Sequence, residues 1–253
     1  MPMNDDFYMG YLDETPSNLA RWTRRLVWVL GVLVALLATL LAARQTPAEP
    51  GTFEFGIQRT FEGVLHENPL PRLRSVSSDG STTNYLLVGA GKFGLPAFAR
   101  GHDGQRVRFK GSLIQKGDNV MVELNDQESF MALGPAATDA APELDVGGEI
   151  SLTGELVDTK CYFGVMRPAT GKVHRACAVR CLSGGVPPGL LVRQGSEVAV
   201  VVLLSGPNGR PLSYEVEWAA RRVHATGKLR TQAGQLLLEV DRLSLAGDQA
   251  GSH

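Results

Sequence analysis

The sequence has almost no net charge, few aromatic residues and few cysteines, and these shortages exclude some classes of protein. Lys and Arg number 25 against 26 Asp and Glu, so the formal net charge is −1. Nucleic-acid binding is disfavoured, because a phosphate-binding surface needs a surplus of Lys and Arg. Aromatic residues make up only 7 % of the chain and do not interleave with basic residues, as they would on a base-stacking surface. We therefore expect no nucleic-acid partner.

Several catalytic and cofactor motifs are also missing. The sequence contains no Cys-x-x-Cys-His for c-type haem and no Gly-x-Ser-x-Gly nucleophile turn. No spaced pair of acids points to glycoside hydrolysis. The glycine-rich run at residues 89–94 lacks the full phosphate-loop spacing and no helix pattern follows it, so we interpret it as a turn. A non-enzymatic role is favoured, with thiol chemistry as the exception considered below.

What the sequence does contain is one long apolar run near the N-terminus. Residues 26–43 carry no charge, and as a helix they would span about 27 Å, enough to cross a bilayer core. Arg21, Arg24 and Arg25 precede the run, which places residues 1–25 as a cytoplasmic tail and the rest of the chain outside. We predict a single-pass anchor in the lipid bilayer of a bacterial inner membrane. A cleaved signal peptide is the alternative.

After a short linker at 44–51, the chain resembles one strand-rich module used twice, with no convincing amphipathic helix. Three segments of the first module match three of the second: residues 61–65 and 152–156, 85–88 and 198–202, and the hairpins 106–124 and 222–240. Central glycines permit the sharp coiling that closes a small barrel. We predict a mainly β protein with two tandem OB-like barrel domains, and a small sandwich is the alternative. The predicted bounds are 52–133 for the first domain, 134–147 for a linker, 148–246 for the second domain and 247–253 for a tail.

The two modules differ in one connection, which holds every cysteine of the protein. The first module has 20 residues from Leu65 to Tyr85, whereas the second has 42 from Leu156 to Val198. We call residues 157–190, within this longer connection, the Cys/His loop. Long irregular connections are usually functional, and the first connection of an OB barrel commonly binds ligands. The candidate functional site is therefore placed in the Cys/His loop.

The residue types in this loop fit a soft metal ion. Cys161, His174, Cys177 and Cys181 are candidate ligands for Zn or Cu, and Met166 is a candidate thioether ligand for Cu(I). Thiols must lose their protons to bind a metal. We expect the neighbouring cations to lower the thiol pKa values; these cations are Lys160, Arg175 and Arg180.

A disulfide is the alternative use of the same cysteines. Outside the cytoplasm thiols oxidise, and a bond from Cys161 to Cys177 or to Cys181 would close a loop and stabilise it by about 3 kcal/mol. Either pairing leaves one thiol over, because the chain has three cysteines. A thiol–disulfide exchange site is a further alternative, although the usual Cys-x-x-Cys pair is absent.

The same residues carry a resemblance. Cys161-Tyr162, then His174-x-x-Cys177-Ala178-x-x-Cys181, then Gly185-x-Pro187 resembles a motif of exported or membrane-anchored bacterial proteins of uncharacterised function. The resemblance implies that these residues belong to one site and implies no particular activity. The Cys-x3-Cys spacing also resembles that of copper-handling proteins of the cell exterior. The downstream ligands of a binuclear electron-transfer site are missing, because residues 182–188 contain no His or Met.

These features together predict a non-catalytic accessory subunit of a membrane redox or respiratory assembly. The anchor and the soft ligands place the protein in the compartment where electron carriers work, and other membrane-protein subunits are the expected partners. A periplasmic copper metallochaperone is the first alternative. A thiol–disulfide exchange protein is the second.

Overall fold

The computed structural model of the chain describes residues 15–44, 51–136, 145–195, 197–232 and 235–247. The chain divides into two units, residues 1–49 and residues 50–253. Several predicted segments lie wholly or largely outside the described residues: the cytoplasmic tail up to residue 14, residues 45–50 of the first linker, residues 137–144 of the second linker, and the tail from residue 248.

The described part of the first unit is one helix, α1 (Ser17–Arg44), which contains the predicted span. Its most apolar 18-residue window has a mean hydropathy of 2.7, and none of its residues is buried. Leu, Val and Ala side chains surround the helix, so it has no polar face for water. By length and composition this helix could be a single membrane span or a signal sequence.

The second unit is built mainly from strands, as predicted. In chain order the strands are β1 (Thr52–Phe53), β2 (Arg59–His66), β3 (Arg72–Val76), β4 (Thr82–Gly89), β5 (Gln105–Lys116), β6 (Asn119–Leu124), β7 (Met131–Pro135), β8 (Asp145–Asp158), β9 (Pro188–Gln194), β10 (Glu197–Ser205), β11 (Arg222–Gln232) and β12 (Gln235–Leu245). The helical segments are a π-helical turn at Cys161–Val165, helix α2 (Arg175–Ser183) and 3-10 turns at Ala97–Ala99, Pro207–Gly209 and Val216–Trp218.

The C-terminal strands form a closed barrel in the order β10-β12-β11-β8-β9. Strands β10 and β12 are parallel, whereas the other neighbours are antiparallel. The predicted hairpin is confirmed as β11–β12. Closure satisfies the hydrogen-bonding groups at both edges of the sheet, so the barrel is a rigid support for its connections.

The N-terminal strands pair in the corresponding order. Strand β5 pairs with β2, β2 with β3, β3 with β4, β4 in parallel with β6, and β6 returns to β5 as the other predicted hairpin. Strands β1 and β7 add to β5. Gly63 on β2 and Gly154 on β8 occupy matching positions. A Cβ there would lie 2.3 Å from the carbonyl oxygen of Arg74 or 2.6 Å from that of Leu191, so both close strand crossings need glycine.

One hydrophobic cluster joins the two strand systems. Each system has its own core, built around Phe109 in the first and Leu238 in the second. The joining cluster includes Ile114 and Met121 of the first system together with Cys161 and Cys181 of the Cys/His loop. The candidate site therefore lies where the two strand systems pack against each other.

Candidate functional site

The backbone of the Cys/His loop places the three cysteines on two helical segments. Cys161 opens the π-helical turn that follows β8, and Cys177 and Cys181 lie one turn apart on the same face of α2. The sequence shows no convincing amphipathic helix after the first linker, and α2 is a short helix that the pattern did not reveal. This helix has only nine residues and buries Ala178, Cys181 and Leu182, so two of its three buried side chains are small and its sequence shows no apolar stripe.

The end of α2 is set by a glycine pair. The N–H of Gly185 donates to the carbonyl of Leu182 at 3.1 Å, and the N–H of Val186 donates to the carbonyl of Cys181 at 3.0 Å. Gly185 has φ +89°, the left-handed conformation that this type of helix ending requires. The two bonds fix the last turn of α2, which carries Cys181.

The three sulfur atoms meet at one point. The Sγ of Cys161 lies 3.8 Å from that of Cys177 and 3.9 Å from that of Cys181. The three atoms all lie within 4.8 Å of one another, so the cluster could hold a metal ion. A disulfide has an S–S length of about 2.05 Å, and neither of the two predicted pairs lies at bonding distance. Cys161 and Cys181 are buried, whereas Cys177 is half-buried.

A cation from the first strand system faces these sulfurs. Residues 89–94, which we call the glycine loop, run from the end of β4 and carry Lys92. The Nζ of Lys92 lies 2.6 Å from the Sγ of Cys177 and 4.0 Å from that of Cys181. Sequence reasoning interpreted these residues as a turn and did not connect them with the cysteines.

The glycine loop packs tightly against the end of α2. The N–H of Gly94 donates to the carbonyl of Gly184 at 2.9 Å. A Cβ on Gly184 would lie 1.9 Å from the carbonyl oxygen of Lys92, and a Cβ on Gly94 would lie 2.1 Å from that of Gly185. Glycines on both sides therefore permit the approach that brings Lys92 to the thiols.

The three thiols differ in their electrostatics. The hydrogen bond with Cys181, then burial and the charge of Asp158, raise the pKa of Cys161. The hydrogen bond with Cys161, aided by the charge of Lys92, lowers the pKa of Cys181 against the effect of burial. These directions favour Cys161 as the S–H donor and Cys181 as the acceptor of the bond between them. The hydrogen bond to Cys177 is the main cause that raises the pKa of Lys92, which keeps its ammonium charged.

A buried Asp–His pair adjoins the thiols. The Oδ1 of Asp158 accepts the backbone N–H of Cys161 at 2.8 Å, and its Oδ2 lies 2.9 Å from the Nε2 of His174. Asp158 and His174 are both buried. Ligand atoms of Asp158, Cys161 and His174 all lie within 4.8 Å of one another, so this second group, which shares Cys161, could also hold a metal ion.

A buried ion pair ties the start of the Cys/His loop to the first strand system. The Nζ of Lys160 lies 2.5 Å from the Oε2 of Glu123 on β6 and donates to the carbonyls of Gly89 and Gly91 at 2.7 Å each. Its side chain is 1 % exposed. Lys160 therefore holds the glycine loop in place.

The cations expected to act on the thiols are not the ones that do. Lys160 is held by Glu123, and Arg175 donates to the carbonyl of Glu217 at 2.8 Å. The cation that contacts the sulfurs is Lys92, 85 residues from Cys177 in sequence. No sequence signal could have found Lys92. A signal for Asp158 was present, because a carboxylate three residues before the first cysteine of the motif is well placed to cap its backbone N–H.

The structure brings together the predicted site residues in two overlapping groups. The three cysteines form one group, and His174 joins Cys161 and Asp158 in the other. Met166 is 44 % exposed, and its backbone N–H donates to the carbonyl of Cys161 at 3.3 Å. A ligand role for the Met166 thioether stays a prediction.

A comparison of the sequence with protein-family models and with curated proteins finds no match.

Proposed function

We propose that this chain is a membrane-anchored, extracytoplasmic accessory protein that holds a soft metal ion between its two strand systems. The observation that carries the proposal is the meeting of three sulfur atoms, with two separations of 3.8 and 3.9 Å and no disulfide. Thiolates bound to one metal ion at about 2.3 Å lie about 3.8–4.0 Å apart. The sulfurs of the folded chain already have the spacing that a shared ion needs.

The ligands would be Cys161, Cys177 and Cys181, and soft thiolates favour Cu(I) or Zn(II) over hard cations. The lowered pKa of Cys181 supports binding, because a thiol must lose its proton to ligate a metal and the Cys181 thiol loses it more readily than an ordinary one. Burial of Cys161 and Cys181 would shield the ion from water. Fixed ligands also lower the entropic cost of assembling the site.

His174 and Asp158 would act beside the thiolates. A histidine that ligates a metal commonly donates its other ring N–H to a carboxylate, which fixes the tautomer. The Nε2 of His174 already faces the Oδ2 of Asp158 at 2.9 Å, so Nδ1 is the nitrogen left for a ligand. His174 is therefore the candidate fourth ligand.

The proposed setting is the outer face of a bacterial inner membrane, with α1 as an uncleaved span and the N-terminus in the cytoplasm. The exposed apolar surface of α1 and the arginines before residue 26 support this topology. Two tandem OB-like domains are proposed for the outer part. The matching order of strand pairing in the two halves supports this assignment, and so does the position of the Cys/His loop between the first two strands of the second barrel.

A metal assay on the full-length chain tests the site. The protein, purified in mild detergent under reducing and anaerobic conditions, should bind one equivalent of Cu(I) or Zn(II) by elemental analysis, with three thiols by titration. Cys177→Ser and Cys181→Ser should each lose the metal. The matched control is His224→Ala, because His224 bonds to Thr153 on the barrel wall and not to the cysteines. A wild-type chain that holds no metal after loading with either ion contradicts the proposal.

A separate experiment tests the accessory role. After extraction in a mild detergent, the full-length chain should migrate with larger membrane subunits that contain redox cofactors. Deletion of residues 1–44 should leave the outer domains folded but should remove this association. A full-length chain that migrates alone contradicts the accessory role, whatever the metal assay shows.

The half-buried position of Cys177 favours a metallochaperone as the second candidate function. A partner thiolate could reach the ion only beside a ligand that is open to solvent. Metal transfer to a thiol-bearing acceptor would then be much faster than loss of metal to buffer. Equal rates would favour a resident ion in an accessory subunit.

The unequal thiols favour thiol–disulfide exchange as the third candidate. An exchange protein needs an accessible thiolate with a lowered pKa, whereas Cys181, the cysteine whose pKa is lowered, is buried. The pH dependence of alkylation at each cysteine, read by mass spectrometry, distinguishes the cases. A single accessible thiol that titrates near about 8.5 excludes this activity.

A further inference from the structure

We propose that Lys92 makes the three-cysteine site selective for a monovalent soft cation, Cu(I), over divalent Zn(II), so that the first strand system supplies the selectivity of a site whose ligands all belong to the second. This inference rests on the proposed metal binding. The inference is based on the position of the Lys92 Nζ, which lies 2.6 Å from the Sγ of Cys177 and 4.0 Å from that of Cys181.

The selectivity follows from the charges. An ammonium group repels an incoming metal ion in proportion to the charge of that ion. A fixed positive charge beside the sulfurs therefore disfavours Zn(II) twice as strongly as Cu(I). The same conclusion follows from the products: three thiolates with Cu(I) carry a net charge of −2, and with Zn(II) a net charge of −1. The more negative complex gains more from a nearby cation.

The position of Lys92 is fixed by contacts on both sides of the glycine loop. Lys160 binds the carbonyls of Gly89 and Gly91 at 2.7 Å each. Gly94 donates to the carbonyl of Gly184, and the contact of Gly184 with the Lys92 backbone leaves no room for a Cβ. The backbone at Lys92 therefore cannot move away from the sulfurs without breaking this packing, and the ammonium itself is bonded to the Sγ of Cys177 at 2.6 Å.

Lys160, which precedes Cys161 in sequence, cannot replace Lys92 in this role. The charge of Lys160 is balanced by Glu123, and its buried Nζ donates to the carbonyls of Gly89 and Gly91. Within the described residues, Lys92 is the cation bonded to the sulfurs.

Competition titrations on the full-length chain in detergent test the inference. Cu(I) and Zn(II) affinities are measured separately against chromophoric chelators, under reducing and anaerobic conditions. Because Lys92 is exposed and its charge is partly screened by solvent, we expect Lys92→Met to lower the ratio of Cu(I) to Zn(II) affinity by about tenfold, with one ion still bound. Lys92→Arg, which keeps the charge, should stay near the wild-type ratio. The matched control is Lys110→Met, which removes an exposed lysine from the same strand system.

A second measurement varies the salt concentration. Higher salt should lower the ratio of Cu(I) to Zn(II) affinity in the wild-type chain and in Lys110→Met, because salt screens the ammonium charge of Lys92. The ratio in Lys92→Met, which lacks this charge, should not change with salt. An unchanged affinity ratio in Lys92→Met, with metal bound by the wild type, overturns the role of Lys92 alone. Failure of the wild type to bind either ion overturns the proposed function and this inference together.

Discussion

At the residue scale, the three cysteines of the site differ in their burial and in the charges around them. Cys161 is held as a protonated donor by Cys181 and by the charge of Asp158, whereas Cys181 is favoured as a thiolate. Cys177 is the half-buried thiol and faces Lys92. A metal ion would need all three sulfurs as thiolates, so metal binding would release the proton of Cys161.

The thiol environments predict a stability maximum for the reduced, metal-free protein. The pKa of Cys181 is lowered by folding, so its contribution is present above the ordinary thiol pKa of about 8.5 and is lost as pH falls through the lowered value. The pKa of Cys161 is raised, so its contribution is present below about 8.5 and is lost as pH rises. The free energy of unfolding, measured with urea between about pH 7 and 9.5, should peak near 8.5.

The slope on either side of this maximum is limited to about 1.4 kcal/mol per pH unit for one group. Cys161→Ser should remove the fall on the alkaline side. A wild-type stability that stays level or rises from about pH 8.5 to 9.5 would contradict the assigned directions.

The buried carboxylate predicts a stability effect that does not involve metal. Asp158→Ala leaves the N–H of Cys161 and the ring of His174 without their acceptor in a buried place. We expect the free energy of unfolding to fall by about 2–4 kcal/mol, as measured by urea denaturation. Asp79→Ala is the control, since Asp79 accepts the N–H of Ser81 in an exposed turn. This variant should lower the free energy of unfolding by less than about 1 kcal/mol. Equal losses in the two variants would mean that the buried pair adds nothing.

At the element scale, helix α2 and the glycine loop are matched through their glycines. The left-handed Gly185 ends α2, and the flat surface of Gly184 accepts the backbone of Lys92. A side chain at residue 184 would separate the helix from the loop. The glycine pair therefore serves the helix end and the contact with Lys92 at once.

The left-handed residue that ends α2 predicts that a methyl group at residue 185 lowers the stability of the protein. Gly185→Ala places a side chain on a residue with φ +89°, and we expect the free energy of unfolding to fall by about 1–2 kcal/mol by chemical denaturation. Gly148→Ala is the matched control, because a Cβ there meets nothing within 4 Å and φ is not positive. Should both variants show the same stability, the ending of α2 would not depend on the left-handed residue.

At the scale of the whole molecule, the outer part of the chain, residues 50–253, is one compact unit. The cluster that joins the strand systems contains residues of both and two of the cysteines. The ion pair of Lys160 with Glu123 crosses the same junction. The second strand system thus provides the sulfurs, and the first provides Lys92, the cation that contacts them.

The buried ion pair at this junction predicts that a substitution of Glu123 lowers the stability strongly. Glu123→Gln leaves the Lys160 charge unbalanced at a side chain that is 1 % exposed, so the free energy of unfolding should fall by about 3–5 kcal/mol. Glu62→Gln is the control, because Glu62 pairs with Arg106 and Arg108 on an exposed face and should cost below about 1 kcal/mol. Differential scanning calorimetry on the full-length chain measures both.

The double variant Glu123→Leu with Lys160→Met separates the charge effect from packing. It should recover most of the lost stability, because no buried charge remains without a partner. A double variant as unstable as Glu123→Gln would show that packing, and not charge, causes the loss.

Local patterns in the sequence were enough to predict helix α1, the strand-rich outer part and the two hairpins. The apolar run of α1, the hairpins β5–β6 and β11–β12, and the glycines at Gly63 and Gly154 all act through neighbours in sequence or through strand pairing. The grouping of the cysteines also followed from their spacing. Helix α2 was missed because its buried face consists mainly of small residues, which give no periodic apolar signal.

The partners of the cysteines depended on the packing of one strand system against the other. Lys92 and Glu123 are distant in sequence from the Cys/His loop, and no periodicity of a single chain segment encodes a contact between two separately formed sheets. Burial of the joining cluster brings these groups together. The candidate ligands therefore lie in one stretch of sequence, whereas the Lys92 charge reaches them only when the two halves of the molecule pack together.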